Sequence, residues 1–253
     1  MSVSPVRRND ARAPQRGVFL LPSILTTCGL FAGFFSVTAS IRGSFWVAAV
    51  AILIANVFDV LDGRVARMTN TTTRFGFEYD SLSDVIAFGV APAVLVYSWA
   101  LEPWGHLGWL AASTYVACSA LRLARFNVQV ESDAKRNFIG LPTPAAAQVI
   151  ASTVLLSYYL GGAGEPYQQG TLALMTFALA TLMVSGFKYF SFKENELLRR
   201  QPFISLVAAS FVLTLLIAFP EPMIFGTFAL YAASGPWRWV WVRLKQVRRR
   251  RRA

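Results

Sequence analysis

Four aspartates lie within 26 residues of one another in this 253-residue chain: Asp59, Asp62, Asp80 and Asp84. Each sits in or beside an apolar run, where an unpaired charge costs roughly 3 kcal/mol or more. Asp59 and Asp62 are three residues apart and Asp80 and Asp84 four, so on helices each pair projects from one face. Neighbouring arginines (Arg64, Arg67, Arg74) offer ion pairing as a purely structural account. Helical geometry favours a different one. Asp59 stands 14 residues, about 21 Å of helix, from Phe45 at one boundary of its run, and Asp84 stands 15 residues, about 22 Å, from Trp99. Both acidic faces therefore reach one level, about 8 Å inside one edge of a hydrocarbon layer about 30 Å thick. Carboxylates converging there need cations, and Mg²⁺ or Mn²⁺ are the ions that carboxylate oxygens with a few waters suit.

The elements that must position these groups follow from composition. Hydrophobic residues make up 55% of the chain and charged residues 15%, with a mean hydropathy of +0.47. That excludes disorder, coiled coil and collagen, and Cys28 and Cys118, both inside apolar runs, cannot make a disulfide framework. The class that remains is an all-α polytopic membrane protein. About eight segments approach the length needed to cross a bilayer: 18–40, 45–67, 79–100, 107–126, 143–161, 171–189, 203–219 and 222–242. The seventh is the shortest, and its Phe219-Pro220-Glu221-Pro222 end also suits a re-entrant hairpin. With the N-terminus inside, every one of the 24 lysines and arginines except Arg42 falls on the cytoplasmic side, as the positive-inside rule requires of an even number of spans. Trp46, Trp99, Trp104 and Trp109 would mark the outer interface and Trp237, Trp239 and Trp241 the inner one. No cleavable leader is evident. The net charge of +11 is scattered between apolar runs rather than gathered into a domain, so nucleic acid is not an expected partner, and the Arg248 to Arg252 run suits anionic lipid.

Small residues continue the acidic stripe. Gly63 and Ala66 follow Asp59 by four and seven positions, and Gly76 precedes Asp80 by four, leaving the stripe bare where a ligand would approach; close helix packing would also use such residues. Arg67 ends the stripe, where its guanidinium could fork onto a phosphate. The complete string, Asp59-x-x-Asp62-Gly63-x-x-Ala66-Arg67, eight residues, then Gly76-x-x-x-Asp80-x-x-x-Asp84, resembles the signature of the CDP-alcohol phosphotransferase family at every fixed position. The resemblance implies a membrane enzyme with a six-helix core, usually a homodimer, that displaces CMP from a CDP-linked lipid. It implies two divalent cations held by Asp59, Asp62 and Asp80, with Asp84 as a further ligand and the catalytic base. Gly63, Ala66 and Gly76 would line the nucleotide pocket and Arg67 would meet the diphosphate.

A second likeness concerns Leu21-Pro22-Ser23, Arg122-Leu-Ala-Arg125-Phe-Asn127 and Asn137 to Ala147, which are similar to bacterial phosphatidylserine synthases within that family. It implies CDP-diacylglycerol and L-serine as substrates. Arg122, Arg125 and Asn127 become candidates for the acceptor, since the carboxylate of serine needs a cationic or amide partner, although these arginines would also serve to set topology. Choline would want aromatic faces, and that link supplies Phe126 and Phe138 alone. Other acceptors (choline, inositol phosphate, glycerol phosphate) define the sister reading, and a cation transporter the remote one. The organisation expected is a basic cytoplasmic leader (1–17), a catalytic core (18–190), two additional spans (191–242) and a basic cytoplasmic tail (243–253), in the cytoplasmic membrane with both termini and the site facing the cytoplasm. His106, in an outer loop, Glu78, ahead of the third helix, and the two cysteines carry no expected chemistry.

Overall fold

The computed structural model describes residues 20–69, 71, 73–131, 140–161, 169–187, 189, 215 and 218–250. Among these every regular element is helical: α1 (Leu20–Ile41), α2 (Phe45–Met68), α3 (Arg74–Trp104), α4 (His106–Glu131), α5 (Thr143–Tyr159), α6 (Gln169–Val184) and α7 (Pro220–Arg250). The chain is an all-helical polytopic membrane protein. By length and apolarity α1, α2 and α3 are each sufficient to cross a bilayer, and α6 is a shorter apolar helix. Helices coincide with seven of the eight expected segments, and 203–219 falls almost wholly outside the described residues.

Turns between helices form where the sequence supplies a residue for positive φ. Gly43 (φ 75°) reverses the chain between α1 and α2, and Gly105 (φ 54°) between α3 and α4. The outward faces of α1 and α2 carry large apolar side chains, among them Phe31, Phe34, Phe35, Ile54 and Val57, all exposed. Charged residues would stand there in a water-soluble protein; here the faces suit lipid. Inside, about half of the buried apolar core is alanine, because without a hydrophobic drive between helices association relies on close backbone approach. α1 lies close against α3: a Cβ on Gly33 would fall 2.7 Å from Cα of Ala87.

α3 is irregular along its length. It is α-helical to Asp84, widens to π geometry over Val85–Val90, returns to α over Ala91–Val96, widens again over Tyr97–Leu101 and ends in a 3₁₀ turn. Pro92 explains part of this, since it has no N–H to give the carbonyl of Phe88 four residues earlier. The fully buried hydroxyl of Tyr115 on α4 donates to that carbonyl at 3.2 Å instead.

Three sequence expectations need correction. The third helix begins at Arg74 rather than near 79, so Glu78 lies in its second turn and is not a residue preceding it. Trp99 is only 6% exposed and belongs to the core rather than to a lipid interface; Trp46, Trp104 and Trp109 are exposed as expected. The last helix does not stop at 242 but continues through the basic tail to Arg250, with Arg243 stacked 4.9 Å over the Trp239 ring and Lys245 3.5 Å over Trp241. The proline at 236 is accommodated inside that helix.

Replacing Tyr115 by phenylalanine should leave the Phe88 carbonyl buried without a donor and cost about 1–3 kcal/mol. Denaturation of the purified protein in detergent checks this, and an unchanged midpoint would mean that the carbonyl finds another partner.

Candidate active site

The acidic residues come together because α2 and α3 form a hairpin about a threonine-rich turn. Thr69 N donates to Val65 O at 2.9 Å and Thr71 N to Ala66 O at 3.1 Å, which closes the end of α2. The hydroxyls of Thr69 and Thr71 meet at 2.6 Å, and Thr73 caps α3 by accepting from Gly76 N at 3.0 Å. The chain thus returns along α2 with Gly76 and Asp80 opposite the Asp62-Gly63-Ala66 stripe.

α1 then locks both acid-bearing helices in register. Thr26 Oγ1 lies 2.8 Å from Asp62 Oδ2, Thr27 and Tyr79 share a hydroxyl contact of 3.0 Å, and Ser83 Oγ donates to the backbone oxygen of Thr26 at 3.3 Å. One ligand atom from each of Asp59, Asp62 and Asp80 lies within 4.8 Å of the other two. Asp62 is buried, and Asp59 and Asp80 are half-buried. Asp84 stands one helical turn beyond Asp80 and lines a narrow cleft with Asp59, Asp62, Asp80, Ser83 and Thr26.

Three ionised carboxylates at such distances repel one another by roughly 3 kcal/mol per pair at an effective dielectric near 20. Among the described residues no arginine or lysine forms an ion pair with any of the four aspartates; Arg67 acts on Asp62 and Arg122 on Asp84 only through space. The arrangement lacks countercharge, and the donor set, hard oxygens from separate helices, is what a divalent cation takes. The residues therefore fit a metal centre, and the arginine-pairing account of the aspartates does not describe this geometry.

Beside the carboxylates opens a cavity of about 280 Å³, with Asp62 and Asp80 on one wall. Gly63, Ala66, Arg67 and Gly76, the residues expected around a nucleotide diphosphate, all line it. Arg67 is exposed at the cavity, and a Cβ on Gly63 would come within 3.6 Å of its guanidinium. Sequence reasoning singled out Pro22 and Ser23 only by likeness and missed Thr26, Thr71, Thr73 and Phe77, which complete the lining. A polar side chain facing inward from an apolar helix was the available signal for Thr26.

The three acceptor candidates separate. Asn127 is half-buried, and its amide donates to Ser81 Oγ at 3.0 Å, next to Asp80. Arg125 donates to the Val184 carbonyl at 3.3 Å, where α6 ends, and thereby braces that end against Gly140 (φ 87°), which would clash with Met183 O if it carried a side chain. Arg122 is buried, donates from Nη1 to Thr143 Oγ1 at 2.9 Å at the start of α5, and its Nε–H has no partner among the described residues. Of the two arginines, Arg122 is the one that acts on Asp84.

Comparison with known proteins agrees with this geometry. The model of the CDP-alcohol phosphatidyltransferase family matches residues 19–184. The chain is similar to the CDP-diacylglycerol–serine O-phosphatidyltransferase of Helicobacter pylori strain J99, at 34% identity over 237 residues that cover 92% of this chain and 97% of the relative. It is 41% identical over 171 residues to the archaetidylserine synthase of Methanothermobacter thermautotrophicus, covering 67% of this chain and 69% of that one. The Bacillus subtilis CDP-diacylglycerol–serine O-phosphatidyltransferase is 34% identical over 175 residues, which are 69% of this chain and 92% of the relative.

Mutual repulsion within the cluster gives a stability test. In excess chelator, Asp80→Asn should be at least as heat-stable as the wild type, because one repelling charge is gone. With millimolar Mn²⁺ the wild type should gain stability and the variant much less, its affinity falling tenfold or more. A variant that is less stable even in chelator would assign Asp80 a structural role instead.

Proposed function

The chain belongs to the CDP-alcohol phosphatidyltransferase family, and from that membership we propose that it transfers the phosphatidyl group of CDP-diacylglycerol to the hydroxyl of L-serine, releasing CMP. The observation that carries the reading is the three-carboxylate cluster at the wall of a cavity whose other lining residues, Gly63, Ala66, Arg67 and Gly76, leave room for a nucleotide and offer a guanidinium to its phosphates. Serine as acceptor is supported by the names of relatives that match most of the chain, two of which act on CDP-diacylglycerol and serine.

Asp59, Asp62 and Asp80 would hold two divalent cations, Mg²⁺ or Mn²⁺, with Asp84 as a further ligand; bound there, the ions would neutralise the diphosphate and the charge that develops on it. The protein's own residues account for the rest. Arg67 orients the diphosphate from the cavity rim. The bare stripe of Gly63, Ala66 and Gly76 lets the cytidine moiety lie against helix backbone. Asp84, deeper and beside Arg122, takes the proton from the serine hydroxyl, which attacks the lipid-side β-phosphorus as CMP departs. Arg122, Arg125 and Asn127 surround the acceptor side, with Arg122 placed to receive the serine carboxylate.

The same reading places the protein in the cytoplasmic membrane as a homodimer, with the leader, the tail and the cavity on the cytoplasmic side. The catalytic core is 18–190, and the segments of 191–242 are additions to it. Basic residues gathered at the ends of α2 and α4 and along the end of α7 support that orientation. Among the other readings, a transport path would distribute carboxylates through the membrane depth, whereas Asp59, Asp62 and Asp80 lie within 4.8 Å of one another.

Purified protein supplied with CDP-diacylglycerol and Mn²⁺ should release CMP when serine is added and not with choline, inositol phosphate or glycerol phosphate. Release with one of those alone would reassign the acceptor. Asp84→Asn should lower kcat by about 10²–10⁴ while binding of the lipid nucleotide changes little. Near-normal turnover would remove Asp84 from the base role.

A further inference from the structure

A hydroxyl inside an apolar helix commonly gives its proton to the backbone oxygen four residues earlier, which satisfies it within its own helix. Thr27, Thr153, Thr176 and Thr227 do so at 2.7, 2.7, 2.8 and 2.8 Å. Thr26 departs from them. Its hydroxyl lies 3.1 Å from the Pro22 carbonyl but 2.8 Å from Asp62 Oδ2 on α2. A hydroxyl has one proton, and a carboxylate oxygen holds it more strongly than a neutral carbonyl does. The proton of Thr26 therefore belongs to Asp62, on another helix.

The bond lies inside the site. Thr26 is 6% exposed, and together with Asp62 and Asp80 it lines both the cavity and the narrow cleft that holds Asp59 and Asp84. Its backbone oxygen accepts from Ser83 Oγ at 3.3 Å, so α3 is attached to the same residue through the neighbour of Asp84. The two bonds differ in what they fix. Ser83 ties one helix to another, whereas the hydroxyl of Thr26 grips the carboxylate itself. A carboxylate left alone turns about its Cβ–Cγ bond, a torsion with broad minima, and presents either oxygen to its surroundings. With Oδ2 held, that rotation is fixed, and Asp62 offers the cluster one constant arrangement of oxygens.

We propose that Thr26 is a positioning residue for the cation centre: its hydroxyl orients the Asp62 carboxylate for a dication bound with Asp59 and Asp80, so that α1, which contributes none of the three aspartates, sets the affinity of a site carried by α2 and α3. The proposal rests on the reading of those aspartates as a metal centre. A ligating carboxylate takes its orientation from a hydrogen-bonded neighbour, and loss of that neighbour lowers metal affinity by roughly 10–100-fold. The role requires a hydroxyl rather than a volume. Thr26→Ser keeps the donor with less bulk, and Thr26→Val removes it at nearly constant shape.

Mn²⁺ binding to the detergent-purified full chain, with no lipid nucleotide or acceptor present, tests this. The free ion is counted by its electron paramagnetic resonance signal, and thermal unfolding in chelator confirms that each variant is folded. Thr26→Val and Thr26→Ala should each weaken Mn²⁺ binding about tenfold or more, while Thr26→Ser stays within about threefold of the wild type. Ser83→Ala removes the other bond between Thr26 and an acid-bearing helix but leaves Asp62 held, so it too should stay within about threefold. Should the valine variant fail to fold, the alanine and serine variants make the same comparison. A fall of less than about threefold in the variants without a hydroxyl would overturn the proposal. An equal fall in Ser83→Ala would overturn it as well, because the docking of α1 and not the orientation of Asp62 would then set the affinity. A wild type that binds no Mn²⁺ would remove the metal centre itself and the role of Thr26 with it, whereas a wild type and a Thr26→Val variant that bind equally well would strike the positioning role alone.

Discussion

Three like charges from two helices are held within 4.8 Å of one another in a setting where water cannot screen them well. Left to themselves the carboxylates would push α2 and α3 apart, and no arginine among the described residues neutralises them. Much of the surrounding architecture resists that separation. The turn between the two helices is closed by backbone bonds and threonine hydroxyls, and α1 holds on to both: Thr26 on Asp62, Thr27 on Tyr79, and the Thr26 carbonyl accepting from Ser83. Gly33 brings α1 onto the backbone of α3 at Ala87, three residues beyond Asp84. Repulsion that would loosen a softer structure is held in a rigid one, and a dication bound among the carboxylates would relieve it.

The irregular course of α3 belongs to the same scheme. Its π segment starts immediately after Asp84, and such widened turns occur often at functional sites. A regular helix carries its side chains at a fixed rotation per residue, so the lower part of α3, which presents Asp80 and Asp84 to α2, and its upper part, which packs Leu95, Trp99 and Leu101 into the core, need not suit one phase. Widened turns change that phase partway along. The backbone groups that such a change leaves over must be satisfied inside the membrane, and Tyr115 does so for Phe88.

The acidic site was legible in the sequence because helical spacing and hydropathy are enough to say which residues share a face and a depth. Asp59, Asp62 and Asp80 converge, and Gly63, Ala66, Arg67 and Gly76 line one cavity with Asp62 and Asp80. What could not be read depends on which neighbour a side chain meets. Trp99 looks like an interfacial tryptophan by position, yet the rotation of α3 places it in the core. Glu78 looked like a residue outside a helix because its segment is polar; the capped start at Thr73 allows the helix to form through Arg74 to Asp80 with little apolar content. From the sequence Arg125 is the favoured acceptor candidate, ahead of Arg122 three residues earlier in the same motif. Only packing distinguishes the arginine that braces the end of α6 from the one buried beside Asp84.

That distinction bears on how one scaffold serves different acceptors. The residues proposed for the metal and the nucleotide sit on α2 and α3 and depend on α1, a set that any CDP-linked lipid would require. The proposed acceptor side is composed differently: α4 supplies Arg122 and Asn127, the Gly140-Leu141-Pro142-Thr143 entry to α5 holds Arg122 through Thr143, and the end of α6 holds Arg125. Gly140 N and Leu141 N donate to Phe187 O and Leu182 O, so this entry is fastened to the end of α6 by backbone bonds independent of side-chain identity. A frame fixed through the backbone would let side chains on the proposed acceptor side vary without disturbing α2 and α3. Substitution on α4, or on a helix laid against α5 as α7 is, would then alter which alcohol is accepted while the reaction at phosphorus stays the same.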